Sequence, residues 1–307
     1  MSTKNINKKL ERLINKAWFT DDKEKATQLA HQILDISPEN TDALLILVDN
    51  LDDDTDEGNS QREILLNRAL KSIESEENDY PEEVKASFYV SVHFRLAYTL
   101  FAQEKFTETL ASCQNALKLL NADNDNDNDD IMDFNIESEL KALQYRTLIE
   151  LRNWRKILDM TMKDETHSLA WAYSKLIAVW MTAPSGKKSE VCASLFWDAV
   201  AISPNVPFYI LAYYDEPDDD DSEDFVFSVL FCDILDASHE FANWFTRGTA
   251  LFGLLTNRFE DRERAFIIEI LKDLGGYEEY EKMNAIVLEA DDASVIETLM
   301  AHKCLRK

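Results

Sequence analysis

The 307-residue chain holds only six glycines and six prolines. Strands and tight turns draw on both residues, so their scarcity favours helix over sheet. Cysteine is sparse as well: Cys113, Cys192, Cys232 and Cys304 form no Cys-x-x-Cys pair. They sit within helical patterns, where a thiol is a small apolar filler, and are read as reduced. The histidines are His31, His93, His167, His239 and His302, and no two lie three to five residues apart. The spacing of a helical metal site is therefore missing. No apolar run approaches the length of a membrane span. Phe225 to Leu235, among the longest, is broken by Cys232 and Asp233. Positive charge is short too, with 32 Lys and Arg against 59 Asp and Glu, a net −27. Such an excess repels phosphate backbones and argues against direct nucleic-acid binding. Met1 to Lys9 is polar and lysine-bearing, with no apolar run after it, so no signal peptide is expected. With reduced thiols this predicts a cytoplasmic protein without membrane attachment.

What is present is helical periodicity. Ile6, Leu10, Leu13, Ile14, Ala17 and Trp18 recur at helix spacing, and Thr20 or Asp21 is the expected cap of the next helix. Lys23 to Ile36 follows, with Ala26, Leu29, Ala30, Ile33 and Leu34 on one face before Pro38. Thr41 to Leu51 and Gln61 to Ile73 pair across an acidic insert at 52–60. Glu83 to Gln103 pairs with Phe106 to Leu120. The Asn/Asp run at 121–130 has nothing to bury and is expected to be mobile. Asn135 to Leu151 pairs with Asn153 to Met162, and Thr166 to Thr182 with Ser189 to Ile202. Helices resume beyond an acidic loop at 215–224.

Leu96-Ala97, Leu100, Phe106, Thr109 and Ala116-Leu117 alternate small and large residues as two nesting antiparallel helices require. This stretch resembles a tetratricopeptide repeat, as do 7–40 and roughly 138–204. The resemblance implies an all-α, right-handed α-solenoid of about five to six helical hairpins. The expected domains are a repeat array at 1–204, then further hairpins and a C-terminal cap at 205–307. The exits Ile36-Ser37-Pro38 and Ile202-Ser203-Pro204 repeat one another. Between 165 and 250, Ala170-Trp171-Ala172-Tyr173, Ser203-Pro204-Asn205-Val206-Pro207-Phe208-Tyr209-Ile210-Leu211 and Trp244 resemble the suppressor-of-tumorigenicity-seven family and its bacterial relatives. That likeness implies a helical repeat protein and supplies no catalytic residues.

Searches for chemistry come back empty. Asp123, Asp125, Asp127 and Asp129 alternate as a calcium loop begins. Yet counting from Asp125 or Asn126 puts Asp130 or Ile131 where that loop needs glycine. His239-Glu240 opens like a zinc-protease helix, but Asn243 stands where the second histidine belongs. There is no nucleophile elbow, phosphate loop or dinucleotide fingerprint. Catalytic, cofactor and metal residues are therefore not assigned, and no cofactor is expected.

In the repeat register, the inner face is lined by the first helix of each pair. It carries Asn15, Trp18, Phe94, Tyr98, Phe101 and Arg146. Aromatic and arginine side chains anchor such surfaces. The expected function is a non-catalytic scaffold holding a peptide or partner helix in a concave groove, with acidic loops steering a basic partner. The alternative is an acidic chaperone or decoy shielding a basic, nucleic-acid-binding protein.

Overall fold

Apolar residues at three- and four-residue spacing fold into sixteen α-helices among the described residues, without a strand. The structure is a computed structural model describing residues 3–52, 54–75, 80–123, 131–217, 222–289 and 291–306, with backbone alone at 3–7, 121–123, 131–135 and 223. The candidate calcium run at 123–130 falls almost wholly outside these residues.

The chain divides into two compact units, Met1–Thr147 and Leu148–Lys307. The first holds α1 (Thr3–Trp18), α2 (Lys23–Leu34), α3 (Thr41–Asp49), α4 (Asp56–Ile73), α5 (Glu82–Ala102), α6 (Phe106–Asp123) and most of α7 (Ile131–Glu150). From α1 to α6, each helix packs against the next. Helix α3 joins two core clusters. Its Ala43 and Ile46 meet Ala17 of α1 and Ala26, Leu29, Ala30 and Ile33 of α2. Its Leu44, Leu45 and Val48 meet Leu66, Ala69 and Ile73 of α4 and Val92, Leu96 and Leu100 of α5. A helix apolar nearly all round is stable only between neighbours.

Capping fixes where these helices begin. Asp22, rather than Thr20 or Asp21, caps α2 by accepting from Lys25 N–H at 3.1 Å. The acidic stretch at 52–60 is not all loop, because α4 already begins at Asp56. Thr55 accepts from Gly58 N–H at 3.1 Å, and Asp56 and Glu57 occupy the first turn, where carboxylates oppose the helix dipole favourably. Gly58 is required here: a Cβ on it would lie 1.8 Å from the Asp52 carbonyl oxygen.

The second unit holds α8 (Trp154–Thr161), α9 (Leu169–Thr182), α10 (Lys188–Ile202), α11 (Val206–Ile210), α12 (Glu223–Phe231), a 3-10 turn at Cys232–Ala237, α13 (His239–Leu255), α14 (Asp261–Asp273), α15 (Tyr277–Asn284) and α16 (Asp292–Ala301). Helices 8 to 10, assigned from the sequence to the repeat array, belong to this unit. Its core is aromatic: Trp180 lies 4.8 Å from Trp244, and Phe196 lies 5.3 Å from Phe245. Helix α13 packs against α14, α15 and α16, and α16 also packs on α10. Leu305 and Cys304 belong to the core. Leu305 is fully buried, its carbonyl accepts from Trp244 Nε1 at 2.9 Å, and its side chain fills the space beside Gly248.

The glycine shortage has a visible consequence at helix exits. Helices α5, α7, α11, α13, α14 and α16 end with a left-handed residue, followed by an N–H that reaches back to the carbonyl five residues earlier. Glycine is the usual choice at that position. Here it occurs once, as Gly275; the others are Glu104, Arg152, Ala212, Asn257 and Lys303. A side chain in that region costs about 1–2 kcal/mol. Glu104→Gly and Arg152→Gly should each stabilise the fold by roughly 0.5–1 kcal/mol after the entropy of the unfolded glycine is subtracted. Urea unfolding checks this, and destabilisation by either glycine contradicts it.

Candidate functional site

The odd-numbered helices of the first unit touch one another directly, through polar side chains. Trp18, the last residue of α1, donates its Nε1–H to Asp42 Oδ1 of α3 at 3.0 Å. Asp49, the last residue of α3, takes a two-pronged contact from Arg95 of α5, at 2.7 and 2.8 Å. Tyr98 of α5 donates to Glu139 Oε2 of α7 in a longer bond of 3.3 Å. These three contacts tie α1, α3, α5 and α7 in series. The even helices lie between them in the chain, so each odd helix also meets the next odd one. Glu63 of α4 is held in turn by Lys105, in the α5–α6 turn, at 2.6 Å.

The predicted face residues divide by burial. Asn15 is exposed and Trp18 is 39% exposed, with the wholly unsheltered Phe19 ring (88% exposed) beside it. Phe94, Tyr98 and Phe101 are half-buried. Phe94 and Tyr98 pack edge-on at 5.2 Å, and Phe101 tilts against Phe106 at 5.6 Å. Arg146 is different, being only 3% exposed. A guanidinium so covered acts within the helix packing and is not offered to a partner. Trp18 and Tyr98 thus belong to the polar ladder, Phe94 adjoins it through Tyr98, and Arg146 lies below the surface. Asp42, Asp49, Arg95 and Glu139 complete the ladder and were not picked from the sequence.

On this face three carboxyls, Asp42, Asp49 and Glu139, meet one cation, Arg95. Arg95 neutralises Asp49. Burial raises the Asp42 carboxyl above its ordinary value, against a smaller lowering by the Trp18 hydrogen bond. Burial likewise raises Glu139, opposed by Tyr98, and pushes the Tyr98 phenol upward. His93, on the same helix as Phe94, is held toward its neutral form by burial, and its ring stacks on Tyr89 at 6.5 Å. The face is therefore aromatic, with Asp49 paired to a cation and Asp42 and Glu139 each bonded to an aromatic donor. A separate cleft of about 520 Å³ runs along α4, lined by Ser60, Glu63, Ile64, Asn67, Arg68 and Lys71. Glu63 is engaged by Lys105, and Arg68 by the Pro38 carbonyl and Glu39, so the cleft lacks a convergent set of free polar groups. Among the described residues no group of three His, Cys, Asp or Glu could hold a metal ion, and no helix is long and apolar enough to cross a membrane.

Comparison with protein-family models, with curated proteins and with solved structures finds no match to this chain.

The raised Asp42 carboxyl has a defined pH signature. Its folded form holds a proton more tightly than the unfolded chain, whose carboxyl titrates near 3.8. The stabilisation from this group is complete below that pH and is lost as pH rises through the folded value. Asp42→Asn keeps an oxygen acceptor for Trp18 and removes the buried charge. It should be more stable than the parent at pH 7, with the advantage shrinking as pH falls toward 3.8. A variant equally or less stable at pH 7 contradicts this, as read by denaturant midpoints across the pH range.

Proposed function

We propose that this protein is a non-catalytic scaffold, and that the face built by α1, α3, α5 and α7 is where it holds a peptide or partner helix. The observation that carries the reading is the direct side-chain contact between alternate helices. It supports a stack of tetratricopeptide-like hairpins, taken here as a right-handed α-solenoid whose first helices line a concave groove. A groove of that kind presents side chains from several helices to one extended ligand. Trp18, Phe94 and Tyr98 supply apolar area, Trp18 and Tyr98 with a polar edge as well, the chemistry of an interface anchor. The carboxyls of the face are each held by a neighbouring side chain, and most of the acid excess lies in the segments around it. The acids then act on approach of a basic partner more than on its final grip. No residue is assigned a catalytic or cofactor role in this reading, and a cytoplasmic setting fits the reduced cysteines.

The test uses the full chain as bait, with Trp18→Ala, Phe94→Ala and Tyr98→Ala as comparators, each first shown to unfold cooperatively. Partners captured from native lysate by the parent should be lost by these variants. For a partner then purified, affinity should fall about tenfold or more per anchor. Its on-rate should decline as salt rises. Unchanged capture and affinity in all three variants would remove the face from the proposal. An on-rate indifferent to salt would remove the steering.

A further inference from the structure

We infer that Arg258 is a latch joining helix α16 to Tyr214 and, through Asn205, to Asp224 in the first turn of α12, so that the two sides loosen together. Arg258 follows α13, where the left-handed Asn257 and the bond from Arg258 N–H to the Gly253 carbonyl, at 2.9 Å, fix the backbone. Its guanidinium then lies over the rings of Phe208 and Phe252, at 5.1 and 5.4 Å. Nη2 reaches Asp292, the first residue of α16, at 2.6 Å. Nη1 donates to Tyr214 Oη at 3.0 Å and to Asn205 Oδ1 at 2.7 Å. Asn205 passes the contact on, because its Nδ2 donates to Asp224 Oδ2 at 3.1 Å. Ser203 Oγ donates to the other oxygen of Asp224 at 2.5 Å.

Tyr214 and Asp224 therefore stand on one hub. The amide of Asn205 can face only one way. Reversed, its NH2 would meet the guanidinium and its carbonyl would meet a carboxylate, two repulsive contacts. Asp224 and Asp292 are joined through Asn205 and Arg258. Side-chain networks of this kind are coupled more strongly than separate pairs. A latch thus makes a claim that mere local stabilisation does not: disturbing one carboxylate must loosen the segment anchored by the other.

Hydrogen exchange on the full chain tests it, with Asp224→Asn, Asp292→Asn, Arg258→Lys and Arg258→Ala. Asp224→Asn should raise exchange in the first turn of α16, and Asp292→Asn should raise it at residues 213–214 and 224–227, each about fivefold or more. Arg258→Ala should raise both, and adding Asp224→Asn to it should change α16 no further. Should Arg258→Ala fail to fold, the two Asn variants and Arg258→Lys still decide the matter. Confinement of each carboxylate's effect to its own segment overturns the latch, as does a further additive change at α16 in the double variant.

Discussion

The N-terminal unit depends on alternate helices lying close enough for side-chain contact. The helices bury their apolar stripes against neighbours in sequence. Helix α3 makes the constraint plain, since Ala43 and Ile46 serve one cluster while Leu44, Leu45 and Val48 serve the other. With both sides committed to neighbours, what remains of the odd helices faces outward. Trp18, Asp42, Asp49, Arg95, Tyr98 and Glu139 occupy that remaining strip and bond across it. The candidate binding face is thus a by-product of the packing rather than a separate construction.

The second unit solves the same burial problem differently. Its core is built from large rings, and α13 gathers α14, α15 and α16 around itself. Two glycines of α13 permit this density: a Cβ on Gly248 would come within 2.7 Å of Phe196, and one on Gly253 within 2.4 Å of Phe259. The chain end completes the core instead of trailing from it, through Leu305 and the bond from Trp244. Arg258 shows why a charge can sit in such surroundings. It is flanked by rings but meets a carboxylate, an amide and a phenol, and these contacts offset part of the cost of taking its charge out of water.

Much of this was legible in the chain itself. The helices follow the apolar spacing, and Leu96, Ala97, Leu100 and Ala116 are buried as the nesting pattern requires. Acidic residues were read less well. A run of Asp and Glu looks like solvated loop, yet Asp56 and Glu57 open a helix because Thr55 caps it. Composition cannot separate the two, since first turns and loops favour the same residues. The polar ladder escaped for another reason: it joins residues 24, 46 and 41 positions apart, whose pairing emerges only once hairpins are stacked. Arg146 was placed by register on an open face, but burial is decided by neighbouring helices, which a register does not contain. The role of Leu305 was equally hidden, because a terminal hydrophobe reads alike whether it plugs a core or trails in solvent.

The most direct test of the stacked arrangement is a double-mutant cycle on Asp49 and Arg95, using Asp49→Asn, Arg95→Gln and the pair, with stability measured by urea unfolding. Stacked hairpins predict a coupling of about 1 kcal/mol for this partly buried, two-pronged pair, diminished by salt. Strictly additive single effects at low salt would contradict contact between α3 and α5, and with it the face on which the binding proposal rests.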